Sequence, residues 1–264
     1  MVLIVGSKGA AVTELQRLLV AAGIKVLVDG DYGEATAKAV SAFQRKAGLV
    51  VDGAAGPRTL DALRNGQRHP RALTEADIKR VAKRLEVTAA SIRAVCDVES
   101  DGSGFAADGR PDVLFERHVF YQRLQAAGRD AKALAERYPN LVATKRGGYA
   151  GGSAEWGRLN GAATIDRAIA YESASWGLFQ IMGYHWQRLG YASVEAFATL
   201  QCQDEGQQLE AFARFIEASP LIHRALREGR WAAFARLYNG PKYRENLYDV
   251  KLARAAARYE RLAA

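Results

Sequence analysis

Glu99 is the residue whose type and placement best suit chemistry. At about 100° per residue, Ile92 lies about 20° from it around a helix, Val95 about 40° and Cys96 about 60°, whereas Asp97 falls about 160° away. Glu99 is therefore an acid on an apolar face, and Asp97 belongs to the solvated one. A carboxyl held against apolar side chains keeps its proton to higher pH than one in water, as a general acid working near neutrality requires. Ser100-Asp101-Gly102-Ser103-Gly104-Phe105 follows at once and ends the helix. An acid at a helix end facing a cleft can protonate a leaving oxygen. The same spacing also suits an acid at a frayed terminus, or one paired with an arginine in the core. Other chemistries have less support. His69, His118, His185 and His223 are scattered without ligand spacing, so no metal is expected. No Gly-x-Ser-x-Gly elbow occurs, Cys96 reads as packing, and no cofactor is implied.

The elements that must position Glu99 fall into two parts. The chain has 264 residues, enough for two domains with buried cores. In the first part, Asp29-Gly30-Asp31-Tyr32-Gly33, with Thr36 following, recurs as Asp52-Gly53-Ala54-Ala55-Gly56 with Thr59. Each copy reads as a tight Asp-Gly turn running into a helix. Val12, Leu15, Leu18 and Leu19 predict an earlier helix, which makes residues 1–66 a compact three-helix module. Residues 67–73 are polar with a proline and read as a linker. The second part, 74–264, opens on Thr74 as a helix cap with Asp77 in the first turn. Apolar spacing at Ile78, Val81 and Leu85, and again at Leu209, Phe212 and Ile216, predicts helices. Another runs from Trp231 to Tyr238 and stops at Asn239-Gly240-Pro241. Short strands are expected only around 112–115 and 25–28, and the Gly-rich 146–157 stretch reads as a surface loop or lid. The expected fold is mainly α: a small three-helix module followed by a larger, mostly helical domain.

Composition narrows the partners. With 37 Lys+Arg against 29 Asp+Glu, the formal charge is +8, which favours an anionic partner such as nucleic acid, lipid headgroups or an acidic wall polymer. Two cysteines, Cys96 and Cys202, build no disulfide framework. The apolar run 2–5 is too short for a secretory signal, so synthesis in the cytoplasm without export is expected, and nothing approaches a bilayer span. Residues 76–98 have the outline of a helix-turn-helix with a basic first helix. Only Ser91 and Arg93 offer base readers, however, and the second helix ends in acids that repel phosphate. Near the carboxyl end, Lys251, Arg254, Arg258 and Arg261 share one helical face and Leu252, Ala255, Tyr259 and Leu262 another. That pattern is an ordinary surface helix packed on the core, or one drawn to an anionic envelope surface.

Three separated motifs give a resemblance. Glu99-Ser100-x-Gly102, the segment Ser173-Ala174-Ser175-Trp176-Gly177-Leu178-Phe179-Gln180-Ile181-Met182-Gly183, and Leu237-Tyr238-Asn239-Gly240-Pro241 occur in that order. The order resembles the lysozyme-like superfamily, where goose-type lysozymes and lytic transglycosylases carry a Glu-Ser pair, Gly-Leu-x-Gln-Ile and Tyr-Asn. With Leu114-Phe115-Glu116-Arg117-His118 added, residues from about 72 to 264 are most similar to the N-acetylmuramidase domain of modular phage endolysins. Residues from about 6 to 64 separately resemble a peptidoglycan-binding three-helix module. They do so through Leu15-Gln16, Asp29-Gly30-x-Tyr32-Gly33, Phe43-Gln44 and Asp52-Gly53-x-x-Gly56.

The resemblance implies a monomeric endolysin that hydrolyses the β-1,4 bond between N-acetylmuramic acid and N-acetylglucosamine. Such an enzyme reaches the wall after the membrane is opened. Glu99 would protonate the glycosidic oxygen, and a second carboxylate is the usual requirement. Glu116 is the first choice, ahead of Asp112, Asp108 and Asp101; for Glu116 a structural ion pair with Arg117 or another arginine is the alternative. Gln180 would hydrogen-bond near the scissile sugar, Ser175 would position Glu99 or a water, and Tyr238 and Asn239 would line the cleft. Tyr149 and Trp156 would face the glycan, while Trp176 and Phe179, on helix spacing, belong to the core. In the module, Asp29, Asp31, Tyr32, Phe43 and Gln44 would contact sugar and stem peptide. The competing readings are a lytic transglycosylase giving 1,6-anhydro products from the same site, and a non-catalytic protein binding cell wall or DNA.

Overall fold

A computed structural model describes residues 2–99, 103–106 and 108–263. In chain order the helices begin with α1 (Ala10–Ala21), α2 (Glu34–Ala47), α3 (Pro57–Asn65), α4 (Glu75–Arg84) and α5 (Ala89–Glu99). Strand β1 (Val113–Phe115) precedes α6 (Arg117–Ala126), α7 (Ala131–Arg137), α8 (Glu155–Ala163) and α9 (Arg167–Glu172). Strands β2 (Ala174–Trp176) and β3 (Ile181–Met182) lead to α10 (Val194–Gln201) and α11 (Glu205–Glu217). The chain closes with α12 (Pro220–Arg227), α13 (Trp231–Asn239) and α14 (Tyr248–Ala263). The fold is mainly helical, with a small amino-terminal helical module and a larger helical remainder. These elements form two compact units, one of residues 1–102 with 219–264 and one of 103–218.

In the first unit, α1, α2 and α3 enclose a core of Val12, Leu15, Leu19, Val40, Phe43 and Leu63. Residues 25–28, expected as a strand, form none. The extended 2–8 segment pairs instead with both Asp-Gly turns, Leu3 with Ala55 and Lys8 with Asp31. Helix α4 starts as its residue types require: Thr74 Oγ1 accepts from the Asp77 N–H at 3.2 Å, and Asp77 accepts from the Thr74 N–H at 3.1 Å. Helix α5 packs on α14, with Ala90 and Ala94 meeting Ala255, Ala256 and Tyr259. Small side chains on both helices permit that close approach.

In the second unit, β1, β2 and β3 form an antiparallel sheet in that order, with Leu114 opposite Ser175 and Ser175 opposite Met182. Helix spacing places Trp176 and Phe179 in the core, but the segment 174–182 that carries them is a hairpin. Only four residues, 177–180, join the two strands, and all three residues of β2 are buried. Trp176 and Phe179 are buried all the same. Trp176 meets Trp156, Tyr171 and Phe197 edge-on, and Phe179 stacks on Phe212 with ring centroids 4.7 Å apart.

Candidate active site

The residues expected to act fall on both units. In the first, Ile92 and Val95 are fully buried and place the end of α5 against the core. Glu99, the last residue of that helix, is half-buried. Its Oε1 accepts a hydrogen bond of 2.8 Å from Asn239 Nδ2. Burial raises the proton affinity of Glu99, outweighing the Asn239 bond and the more distant charge of Lys251, which act the other way. Asn239 ends α13, and Gly240 turns the chain away with φ +81°. Next to Asn239, Tyr238 stacks on Phe234 at 5.5 Å. Burial first, then the nearby Glu99 charge, keeps the Tyr238 hydroxyl protonated far above its ordinary range. Three residues expected in order thus meet as a group. Ser100, Asp101 and Gly102, the rest of the Glu-Ser motif with one candidate carboxylate, lie outside the described residues.

The second unit places its own expected residues in two clusters. Ser175 on β2 donates to Gln180 Oε1 at 2.7 Å, and Gln180 Nε2 donates to the Gly177 carbonyl at 2.9 Å. Gln180 is exposed and has φ +49°, a conformation uncommon for a non-glycine residue. The turn is held from beneath by buried Gln208 of α11, whose Oε1 accepts from the Leu178 N–H at 2.8 Å.

In the other cluster, Glu116 stands at the residue before α6, without a side-chain capping bond, and is 6% exposed. Both its oxygens lie within hydrogen-bond reach of the Tyr149 hydroxyl, at 3.1 and 2.9 Å. Arg146 donates to it at 3.3 Å, and His118 Nδ1 stands 3.2 Å away. Glu116 thus has hydroxyl and cationic partners, the arrangement of the ion-pair alternative stated for it. Its cationic partner is Arg146, because Arg117 turns to the carbonyls of Pro139 and Lys145. Among the other candidates, Asp108 is tied to exposed Arg110, which holds its carboxyl below the usual range. Asp112 is fixed through its backbone, its carbonyl accepting from the Gly177 N–H at 2.7 Å.

The Gly-rich stretch is only partly a loop. It ends in a 3-10 turn, Gly152–Ala154, and then in α8, where Trp156 is half-buried with Nε1 donating to the Pro111 carbonyl at 2.8 Å. Tyr149, at 41% exposed, keeps a face to solvent. Beside it, Glu155 is buried and accepts from the Phe115 N–H at 3.1 Å and from Arg158 at 2.7 Å. The sequence reading passed over Glu155, although an acid three residues before an arginine in the first turn of a helix is the signal for such a pair.

The module's predicted contacts divide by exposure. Asp29 is exposed and Asp31 half-buried, the latter paired with Lys8 at 2.9 Å. Tyr32, Phe43 and Gln44 are buried and present no surface to a ligand. The Tyr32 hydroxyl instead donates to the Gly53 carbonyl at 2.8 Å, and Gln44 knits the second turn. The base readers of the helix-turn-helix reading are likewise occupied: Ser91 is buried and Arg93 is paired with Glu75. On α14 the apolar face is spent on α5, leaving Lys251, Arg254 and Arg261 exposed as on an ordinary packed surface helix. Among the described residues no helix is long and apolar enough to cross a membrane.

Comparison with known proteins matches two parts of the chain to two families. Residues 88–260 match the N-acetylmuramidase family model, and residues 8–63 match the model of a putative peptidoglycan binding domain. The crystal structure of Burkholderia AP3 phage endolysin is 54% identical, with a TM-score of 0.95 over 100% of this chain and 99% of that one. Over 61 residues the chain is 48% identical to an N-acetylmuramoyl-L-alanine amidase of Bacillus licheniformis, covering 22% of this chain and 17% of that protein. Over the same length it is 41% identical to the zinc D-Ala-D-Ala carboxypeptidase of Streptomyces albus G, covering 22% of this chain and 24% of that one. The chain thus spans less than a quarter of these curated relatives.

Proposed function

The chain belongs to the N-acetylmuramidase family in its modular phage endolysin form, and from that premise we propose that it hydrolyses the β-1,4 bond between N-acetylmuramic acid and N-acetylglucosamine with Glu99 as general acid. The observation that carries this reading is the half-buried Glu99 carboxyl, its proton affinity raised by burial and its orientation set by Asn239. Glu99 gives its proton to the glycosidic oxygen as the bond breaks and positive charge develops on the sugar; water then adds to the anomeric carbon. Asn239 aims the acid, and Tyr238, kept neutral, borders it. Gln180 presents its amide to the glycan from a turn held by Ser175 and Gln208, and Tyr149 and Trp156 lend aromatic surface. With its oxygens engaged, Glu116 holds the Arg146–Tyr149 loop rather than activating water.

The proposed organisation is a wall-binding module over 1–66, a linker over 67–73 and a catalytic domain over 74–264. Asp29 and Asp31 are the module's polar contacts to peptidoglycan, and tethering raises the local concentration of cleavable bonds. The enzyme meets its polymer from the cell interior once the membrane is opened. The exposed cations of α14 favour approach to an anionic envelope without inserting into it.

The test is Glu99→Gln on purified peptidoglycan, where loss of the proton should cut the rate about 10²–10⁴-fold. Retained activity would overturn the assignment. Mass spectrometry of the wild-type products decides the chemistry: a gain of water supports hydrolysis, and a 1,6-anhydro end moves the enzyme to the transglycosylases.

A further inference from the structure

Glu75, the first residue of α4, spends its two oxygens on two different parts of the first unit. Its Oε2 accepts from the Val51 N–H at 3.2 Å, at the entry to the module's second Asp-Gly turn. Its Oε1 pairs with Arg93 of α5, the helix that ends in Glu99. The paired side chains are 17% and 11% exposed, so water screens the attraction poorly. Other contacts surround this carboxylate. Leu49 bridges to Thr74, and Arg258 of α14 donates to Asp97 of α5 at 2.9 Å beside a cavity that Asp52 also borders. Residues 67–73, read as a linker, are folded down as well. Leu73 is 1% exposed, and Arg68 Nη1 donates to the carbonyls of His69, Pro70 and Ala72 at 3.2, 3.0 and 3.2 Å. The first turn is built alike but stands open. Val28, at the repeat position of Val51, is 40% exposed, and Asp29 faces water.

We propose that Glu75 is a positioning residue: it braces α5 against the module's second turn, and so fixes the carboxyl at the end of that helix. A module hung on a slack linker raises only the local concentration of an insoluble polymer's bonds. It leaves the cleavage of a short soluble fragment unchanged. A module braced on α5 through a buried carboxylate instead becomes part of the geometry of the acid, where a misplacement of about 1 Å can cost about 10²-fold in rate. The two copies of the repeat thereby divide their work. The first keeps its turn open, and the second is consumed by the brace. That the braced helix carries a general acid rests on the function proposed above; the brace itself does not.

The experiment compares the full chain with Glu75→Gln, which keeps an acceptor for Val51 but loses the charge facing Arg93, and with Glu75→Ala, which loses both. Removing one partner of a buried pair strands the other charge, so each variant is assayed well below its melting temperature. On short soluble glycan fragments Glu75→Ala should lower kcat about tenfold with KM nearly unchanged, the mark of lost transition-state alignment. Glu75→Gln should lose less. Retention on purified peptidoglycan should stay as in the wild type. Amide hydrogen exchange at Val51 and in the last turn of α5 should quicken about tenfold in Glu75→Ala. Should that variant not fold, Glu75→Gln carries the same readings at smaller size. Unchanged kcat on the fragments, a loss confined to wall retention, or unchanged exchange in α5 would each overturn the proposal. Glu99→Gln keeps the two readings apart, since it should abolish hydrolysis and leave exchange at Val51 and α5 as in the wild type. If the wild type itself cleaves no glycan, the proposed function fails, and exchange in α5 alone then decides the brace.

Discussion

The two Asp-Gly turns of the module have the same hydrogen-bond lattice in opposite surroundings. In the first, buried Gln16 sends Nε2 to the Asp29 carboxylate at 2.8 Å, the Asp31 carbonyl at 3.0 Å and Thr36 Oγ1 at 3.1 Å. Its Oε1 accepts from the Asp29 and Gly30 N–H groups. In the second, Gln44 does the same to Asp52, the Ala54 carbonyl and Thr59, and accepts from Asp52 and Gly53. Both turns need a glycine. Gly30 and Gly53 have φ +73° and +64°, and an added Cβ would stand 2.9 Å from Thr13 Oγ1 or 3.0 Å from Ser41 Oγ. Beyond this lattice the copies part. The first shows Asp29 to water, whereas the second presses Ala54 and Ala55 inward and turns Asp52 toward Asp97 and Arg258. A short repeat encodes the turn; what packs on it afterwards decides its electrostatics.

The sharpest way to break that comparison is to remove the glutamines. Gln16→Leu and Gln44→Leu each leave several turn groups without partners, at about 1–3 kcal/mol for each group that stays buried and unsatisfied. Water can replace the lost amide around exposed Asp29 but has poor access to Gly53 and Ala54, which are buried. Gln44→Leu should therefore lower the urea midpoint more than Gln16→Leu. Equal losses would mean that surroundings do not matter to the lattice.

This contrast also explains what the sequence made legible. The repeated Asp-Gly, the Thr74–Asp77 capping box and the 3.6-residue stripes are local, so the module, the start of α4 and most helices could be read directly. Glu99 was readable because Ile92 and Val95 set its face within one helix. The Asn239 bond to Glu99 joins residues 140 positions apart, and only the resemblance of the Tyr-Asn motif pointed to it. The same limit hid the hairpin at 174–182, whose two strands are too short to show alternation. It also misassigned Tyr32 and Gln44: polar residues in a motif look like ligand contacts until the fold shows which of them the turn itself consumes. Glu116 could be picked out as an acid amid apolar and basic neighbours, but not as one already held by Tyr149.

A middle-sized effect tests the electrostatics. Burial raises the Asp52 pKa, helped by Asp97 and opposed by the Ala54 N–H, Gln44 and Arg258. Asp29 moves the other way: the Asp31 N–H and Gln16 lower its pKa, with a small contribution from Lys8. An unfolded Asp titrates at about 3.9. Asp52 binds its proton more tightly when folded, so it reduces stability as pH rises above about 3.9. Asp29 binds it less tightly, so its contribution is present above that pH and is lost on acidification through its lower folded value. Asn keeps the side-chain oxygen that accepts in both turns. Asp52→Asn should therefore hold or raise the melting temperature at neutral pH, with the gain disappearing in acid. Asp29→Asn should lower it slightly at neutral pH and match the wild type in acid. Slopes of the same sign would show that the two turns share one environment after all.

The smallest effect belongs to the ion pair that only the first copy has. Lys8 and Asp31 meet at 2.9 Å, but their side chains are 71% and 49% exposed. The second copy puts Ala54 where Asp31 stands, and its backbone turn is just as well formed. The pair is therefore decoration on a turn already closed by Gln16 and Gly30. Exposed pairs gain little because water competes for both charges and two flexible side chains must be ordered. Lys8→Ala should leave the melting temperature nearly unchanged in dilute buffer, and about 1 M salt, which screens the pair, should erase what difference there is. Binding should respond more than folding does: removing Lys8 frees the Asp31 carboxylate for a sugar hydroxyl, so retention of the chain on purified peptidoglycan should hold or increase. A large loss of stability would make the pair part of the turn's construction, and the two copies would then be held by different means.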